Sequence, residues 1–174
     1  MFSLLQKKLG REGPTRLVIP EVLTEPGLHV EGTKLDIVEF AEGESKHIAC
    51  VYPPFMKALL SADLVYNNAH LHLQERHLES WLARLDELEE FAKNRVSTIC
   101  PGHGTAGDLR LIAQTPSDLR DFAEAVKSGD AKTAEQRILA KYLEYRVKQF
   151  LTVFSLPAYF PSAQSPWVAA GCLR

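Results

Sequence analysis

Three short segments of this chain each place a potential metal ligand beside a strand-like run of residues. His103 lies in the run C-P-G-H-G, Asp63 in S-A-D-L-V-Y, and His47 in S-K-H-I-A-C. Imidazole nitrogens and carboxylate oxygens are common ligands of zinc and of similar ions. The segments are far apart in the sequence, so these side chains can converge only through the fold.

Each of the three residues also has an ordinary structural interpretation. His47 can serve as a turn residue that opens an apolar strand, and Asp63 can cap a turn through local hydrogen bonds. His103 carries the strongest individual signal, because glycine on both sides lets the backbone and a ligand approach closely. Only the ordered set of three favours metal chemistry over these alternatives.

In this order, the three segments resemble the second half of the metallo-β-lactamase fold, the αββα hydrolase superfamily. The resemblance runs from about Leu17 to Gly104. It implies that His47, Asp63 and His103 are metal ligands and that Asp63 is also a catalytic residue. The implied metal is zinc, with iron or manganese as alternatives. The family motif H-x-H-x-D-H, which precedes these segments in relatives, is absent from the 174 residues.

The resemblance also implies a reaction class and a substrate cleft. In complete relatives, metal ions lower the pKa of a bound water, and the resulting hydroxide attacks a carbonyl or phosphoryl centre. The chain is therefore expected to derive from a hydrolase of ester, lactone, thioester or related bonds, with catalysis impaired by the absent motif. The alternative is a non-catalytic module that binds a small molecule or a protein on the same fold. Tyr66, Asn67 and His70 are expected to contact a small-molecule substrate.

A second group of histidines competes with this site. His70, His72 and His77 form the pattern H-L-H-x4-H. If residues 69–73 are extended, His70 and His72 lie on one face of the segment, a spacing suited to zinc. The alternative is that all three residues line a loop that leads into a long helix.

Composition limits the class of protein. The chain has 174 residues, of which 45% are hydrophobic and 24% charged, which suits one domain with a hydrophobic core. Its net charge of -2, with basic and acidic residues interleaved, argues against nucleic-acid binding. No run approaches the roughly 18 apolar residues of a membrane span. The early residues lack the order of a signal peptide, so a cytoplasmic protein without membrane contact is expected.

Hydrophobic periodicity predicts strands first and helices later. Strands are expected at residues 16–19, 34–40, 47–52, 57–60 and 96–100. Apolar residues three and four positions apart predict an amphipathic helix over residues 74–95. Further helices are expected at residues 108–113, 116–126, 131–142 and 145–155. This order predicts an α/β (α+β) fold, a truncated αββα sandwich with a mixed β-sheet covered by helices and a helical C-terminal region.

The same pattern predicts how the chain is organised and how it associates. A single domain over residues 1–174 is expected, with the metallo-β-lactamase-like part at 17–104, the helical region at 105–156 and a loosely ordered tail at 157–174. A shortened sandwich would leave an apolar sheet face and an unpaired strand edge in water. A homodimer with an interface larger than ~1,000 Å² is therefore expected. Its covering residues would include Phe2, Leu4, Leu5 and the strand near residues 35–40.

Overall fold

A five-stranded mixed sheet forms the centre of the protein. The computed structural model describes residues 16, 18–19, 21–25 and 27–161. The strands stand side by side in chain order: β1 (Gly27–Val30), β2 (Thr33–Ala41), β3 (His47–Tyr52), β4 (Ala58–Tyr66) and β5 (Thr98–His103). Neighbours from β1 to β4 are antiparallel, whereas β4 and β5 are parallel. Because β4 and β5 run in the same direction, their carboxyl ends meet at one edge of the sheet.

Helices follow and cover the sheet. A 3-10 turn (Pro54–Met56) links β3 to β4, and α1 (Leu78–Ala92) is the crossover between β4 and β5. The elements after β5 are α2 (Arg110–Val126), α3 (Ala131–Lys141), a π-helical turn (Phe150–Ser155) and α4 (Leu156–Tyr159). The predicted α/β class, a mixed sheet with helices, is confirmed. Within the described residues, no helix has both the length and the apolar composition needed to cross a bilayer.

The amphipathic face of α1 packs on the sheet, as the periodicity predicts. Trp81, Leu85 and Leu88 are all fully buried. The indole N–H of Trp81 donates a hydrogen bond of 2.9 Å to the carbonyl oxygen of Leu64 in β4. The indole nitrogen is the only polar atom of the Trp81 side chain, and this bond satisfies it. The bond also connects α1 to β4 next to Asp63.

The first strand differs from the prediction. Arg16, Val18 and Ile19 lie outside any strand, whereas β1 begins at Gly27, between the strands predicted at residues 16–19 and 34–40. The physical reason is the two-residue turn at residues 31–32, in which Glu31 and Gly32 have φ of 50° and 78°. Two successive residues with positive φ form the tight turn that matches the twist of a hairpin, so β1 pairs with β2.

Proline does not interrupt α2, although the sequence predicts two helices there. Pro116 lies inside one continuous helix. It has no N–H to donate to the carbonyl of the residue four positions earlier, a defect that costs about 3 kcal/mol. Four large apolar side chains on the buried face of the helix, Leu111, Ile112, Leu119 and Phe122, together stabilise it by more than this cost.

The last helical segment begins later and ends later than the helix predicted at residues 145–155, since residues 145–147 are not helical. The helix expected to end before Pro157 continues to Tyr159, because a proline in the first turn of α4 has no helical N–H to lose. Residues 162–174, most of the predicted tail, and residues 1–15 lie outside the described residues. The domain boundaries at 17, 104 and 156 stay a prediction.

One row of apolar residues lies across the middle strands. Ile37, Val51 and Leu60 are register partners on β2, β3 and β4. Ile37 and Val51 are half-buried, and Leu60 is 45% exposed. Phe2, Leu4 and Leu5, the other residues of the predicted dimer contact, lie outside the described residues. The homodimer stays a prediction.

A buried carboxyl in α2 is expected to make stability depend on pH. Burial raises the pKa of Asp118 to about 6, against the hydrogen bond that its carboxylate accepts from Tyr145. A raised pKa in the folded state means that the stabilisation is fully present below the unfolded pKa of about 4 and is lost as the pH rises through about 6. Between pH 4 and pH 8 the wild type should therefore lose about 2–3 kcal/mol through this group.

Urea denaturation of the wild type and of Asp118→Asn at pH 4, 6 and 8 measures this loss. The substitution removes the titrating group, so the variant should show a smaller decline in the free energy of unfolding. Asp86→Asn, at an exposed position of α1, is the matched control and should follow the wild type. Parallel curves for the wild type and Asp118→Asn would contradict the prediction.

Candidate functional site

An irregularity in β4 directs Asp63 toward the neighbouring strand. The register between β4 and β5 shifts after the pair Leu60 and Cys100 and again after the pair Ala62 and Pro101. Ala62 has φ of 47°, in the left-handed region that residues with a Cβ rarely adopt. A bulge of this kind bends a strand and re-aims a side chain. Here it precedes the aspartate of the candidate site.

Asp63 lies inside β4, three residues before its end, and its side chain reaches His103, the last residue of β5. The distance from Asp63 Oδ1 to His103 Nε2 is 3.4 Å, and both side chains are partly exposed. Gly102 makes this approach possible, since a Cβ at that position would lie 2.0 Å from Asp63 Oδ1. The absence of a side chain at Gly102 therefore leaves the space that the Asp63 carboxylate occupies.

A second charged pair lies beside the first. His72 Nδ1 and Glu44 Oε1 are 2.5 Å apart, and both side chains are largely buried. Glu44 belongs to the loop between β2 and β3, whereas His72 belongs to the segment after β4. The cluster therefore contains two carboxylates and two imidazoles arranged as two pairs.

The two pairs influence each other electrostatically. Burial raises the pKa of the Asp63 carboxyl, and the Glu44 carboxylate adds to this effect, while His103 and His72 oppose it. The hydrogen bond with Glu44 raises the pKa of His72, which favours its charged form. The charged imidazole of His72 is therefore stabilised by its contact with Glu44.

Aromatic rings surround both imidazoles. The His103 ring stacks on Tyr66, with centroids 5.2 Å apart, and meets the edge of Phe150 at 4.8 Å. The His72 ring contacts Phe150 at 5.3 Å and Phe154 at 5.2 Å. The π-helical turn after α3 thus forms the apolar side of the cluster. Such turns are often found at functional sites.

The predicted ligands do not all converge. Asp63 and His103 come together as expected, but His47 makes no polar contact with either of them. His47 is exposed at the start of β3, where it pairs with Ala41 and lines a surface pocket with Glu39. The residue of this loop that contributes to the cluster is Glu44, three residues earlier, through its contact with His72.

The predicted substrate contacts fall in three different environments. Tyr66 is 1% exposed, and its hydroxyl has no hydrogen-bond partner although it is buried next to the cluster. The Asn67 amide donates to the carbonyl and the hydroxyl of Thr105, at 2.8 and 3.1 Å, and so holds the loop after β5. His70 is buried and lines a separate cavity among the helices. Their role in substrate binding stays a prediction.

The histidine group at positions 70, 72 and 77 does not form a common site. His70 contacts Tyr145, with ring centroids 5.6 Å apart, whereas His72 bonds to Glu44. His77 immediately precedes α1 and lies 3.8 Å from Glu75. Sequence reasoning considered His72 only within this group and missed its pairing with Glu44. Nothing in the sequence of the loop singles out Glu44.

The donors do not fit a complete metal centre. A catalytic zinc ion has three protein ligands and one open position. Asp63 and His103 have suitable donor atoms, one oxygen and one nitrogen. Within the part of the chain that the structure describes, however, no group of three or more His, Cys, Asp or Glu side chains is placed to hold an ion. These residues provide part of a zinc site at most.

A mixed sheet with a helical crossover and a carboxylate–imidazole pair at the shared strand edge defines an α/β protein with a candidate site at its strand ends. The family model of the metallo-beta-lactamase superfamily matches residues 2–103. The chain belongs to this superfamily, as the resemblance in sequence indicated. A search of curated proteins found no match.

Solved structures support the same fold. A metallo-beta-lactamase family protein from Thermus thermophilus is similar with a TM-score of 0.61 and 16% identity, over 95% of this chain and 54% of that chain. A metallo-beta-lactamase from Pontibacter korlensis is similar with a TM-score of 0.50 and 21% identity, over 67% and 54% of the two chains. This chain thus spans about half the length of the structures it matches.

Proposed function

We propose that this chain is a metal-dependent hydrolase module of the metallo-beta-lactamase superfamily whose catalysis is impaired when it acts alone. The observation that carries this proposal is the pair of Asp63 and His103, 3.4 Å apart, without a third ligand in the described residues. Family membership supports an origin in zinc-dependent hydrolysis, with ester, lactone or thioester bonds as substrate class. The donor count supports impairment, because two ligands hold zinc weakly.

Glu44 is central to the test of this proposal. It lies in the cluster, and its carboxylate raises the pKa of Asp63. The Glu44 carboxylate accepts a hydrogen bond from His72, which holds the Glu44 side chain beside this imidazole. An imidazole at position 44 would add a neutral nitrogen donor to the cluster of Asp63 and His103. It would also remove the charge that raises the pKa of Asp63, so this carboxyl would lose its proton to a metal more readily. Glu44→His is therefore expected to strengthen zinc binding by at least about tenfold.

Zinc titration by calorimetry, together with a screen of ester, lactone and thioester hydrolysis, measures both properties. The wild type should bind zinc weakly and show little zinc-dependent turnover. Glu42→His, in the same loop, is the matched control for an added imidazole and should leave the affinity unchanged. If the wild-type chain purifies with about one or two equivalents of zinc and hydrolyses these substrates, the impairment is refuted. Equal gains for both histidine variants would refute the role assigned to position 44.

A non-catalytic binding module is the second candidate function. The aromatic wall of Phe150 and Phe154 beside the imidazoles favours it, as does the buried Tyr66 hydroxyl without a partner. Aromatic rings beside polar groups suit a molecule that combines an apolar ring with a polar group. Saturable binding of a screened compound, unchanged by removal of all metal with a chelator, would favour this second function over hydrolysis.

A further inference from the structure

A small cavity lined by both polar and apolar side chains lies among the helices, separate from the cluster of Asp63 and His103. It is bounded by the segment after β4, by α2, by α3 and by the residues that follow α3. Its volume is about 20 Å³. A cavity needs roughly 10–15 Å³ to hold one water molecule, so this one admits a single group of about that size.

Two of the lining side chains are polar and almost fully buried. His70 is 3% exposed, and its Nε2 atom has no hydrogen-bond partner. Asp118 is 6% exposed and accepts a hydrogen bond of 3.0 Å from the hydroxyl of Tyr145. A buried polar atom without a partner costs free energy. The unpaired imidazole nitrogen therefore indicates that the cavity normally holds a hydrogen-bonding group.

The hydrogen-bonding capacity of the cavity consists mainly of acceptors. The hydroxyl proton of Tyr145 is donated to Asp118, and that of Tyr142 is donated to Asp121. Burial and the charge of Lys148 lower the pKa of His70, which favours the neutral ring. A neutral ring with its proton on Nδ1 accepts hydrogen bonds at Nε2. An ammonium group has three donors and no acceptor, which is complementary to this lining.

Aromatic surface completes the same preference. The rings of Phe122, Tyr142 and Tyr145 line the cavity beside the Asp118 carboxylate. Cations are attracted to the faces of such rings and to a desolvated counter-ion. We propose that this cavity binds the ammonium group of a small primary amine, with Asp118 as counter-ion and His70 Nε2 as a hydrogen-bond acceptor. The inference is independent of the hydrolase proposal, since it uses none of the residues at the strand ends.

Methylammonium chloride is the probe, and NMR chemical shifts of the His70 and Tyr145 rings are the measurement. A ligand with two heavy atoms reaches at best a Kd in the millimolar range. Saturable shifts are expected in that range for methylammonium. Methanol, a neutral isostere, should have no such effect, and neither should tetramethylammonium, whose head group is larger than the cavity. No saturation up to about 100 mM would mean a resident water only and would overturn the proposal, as would equal shifts with tetramethylammonium.

The counter-ion is tested by Asp118→Asn, which keeps the shape of the side chain. Loss of a hydrogen bond to a charged group should weaken methylammonium binding at least about tenfold. Tyr145→Phe keeps the ring and is expected to weaken binding less. An unchanged affinity in folded Asp118→Asn would overturn the assignment.

The pH dependence of wild-type binding provides a test without substitutions. Asp118 is surrounded by His70 from the segment after β4, Asp121 of α2, Lys141 of α3, and the tyrosines at 142 and 145. Asp121 is already paired with Lys141 at 2.5 Å, and the tyrosines do not ionise near neutral pH. Affinity for methylammonium should therefore rise between pH 5 and pH 7 as Asp118 ionises. An affinity that is flat or falls over this range would overturn the proposal.

Discussion

Gly104→Ala is expected to lower the free energy of unfolding by about 2–5 kcal/mol and to separate His103 from Asp63. Gly104 has φ of 96°, and a Cβ at this position would lie 1.9 Å from the carbonyl oxygen of Asn67. That oxygen belongs to the backbone and cannot move aside alone. The backbone N–H of Asn67 also donates a hydrogen bond of 2.9 Å to the carbonyl oxygen of His103. Relief of the clash must therefore displace the end of β5.

Gly129→Ala is the matched control for this substitution. Gly129 has φ of 87°, and nothing lies within 4 Å of the position of its Cβ. The free energy of unfolding of Gly129→Ala should fall only by the cost of placing alanine in a left-handed conformation, about 1–2 kcal/mol. Urea denaturation followed by circular dichroism gives the two free energies, and the imidazole resonances of His103 report its displacement. Equal losses for the two variants would show that the contact with Asn67 is unimportant.

Trp81→Ala is expected to destabilise the protein by about 3–5 kcal/mol, the range for loss of a large buried aromatic side chain. Trp81 is fully buried, packs against Tyr66 and bonds to the Leu64 carbonyl. Its removal leaves a cavity between α1 and β4 and an unpaired carbonyl in the strand that carries Asp63. Native proteins are typically stable by about 5–15 kcal/mol, so this loss is a large fraction of the total. Urea denaturation followed by circular dichroism measures it.

Trp81→Phe separates the contribution of the buried aromatic ring from that of the indole hydrogen bond. It retains an aromatic ring but leaves the Leu64 carbonyl without its donor, which costs about 1–3 kcal/mol. Leu143→Ala is the control for loss of apolar volume at the surface, because Leu143 is 74% exposed. It should change stability by less than about 0.5 kcal/mol. A loss for Trp81→Ala no larger than that for Leu143→Ala would contradict the assigned role of the indole.

Local patterns in the sequence determined much of the sheet and one helix. The strand β3 has the predicted bounds, and β2 extends the predicted strand by one residue at each end. The face of α1 follows from apolar residues three and four apart. These predictions succeed because each depends on a period that a single element imposes on its own sequence. The strand predicted at residues 57–60 instead continues to Tyr66, so Asp63 lies inside β4. The strand predicted at residues 96–100 is β5, which begins at Thr98 and ends at His103.

The composition of the cluster was decided by the tertiary structure. Glu44 and His72 are 28 residues apart and meet only because β3 and β4 place their loops at the same edge of the sheet. His47 was the more obvious candidate by residue type, yet β3 begins there and pairing with Ala41 places it elsewhere. No local period encodes a contact of this kind.

The remaining differences have the same physical origin. Pro116 signals a helix start when it is considered alone, but burial of Leu111 and Phe122 on one face keeps α2 continuous. His70 and His72 have a strand-like spacing, but the packed structure places them in different environments. His70 lines the cavity among the helices, and His72 contacts Glu44. A sequence specifies which side chains can bury apolar surface or carry charge. Which of them meet depends on contacts between distant segments, because the free energy of burial and pairing is gained only when those segments have packed together.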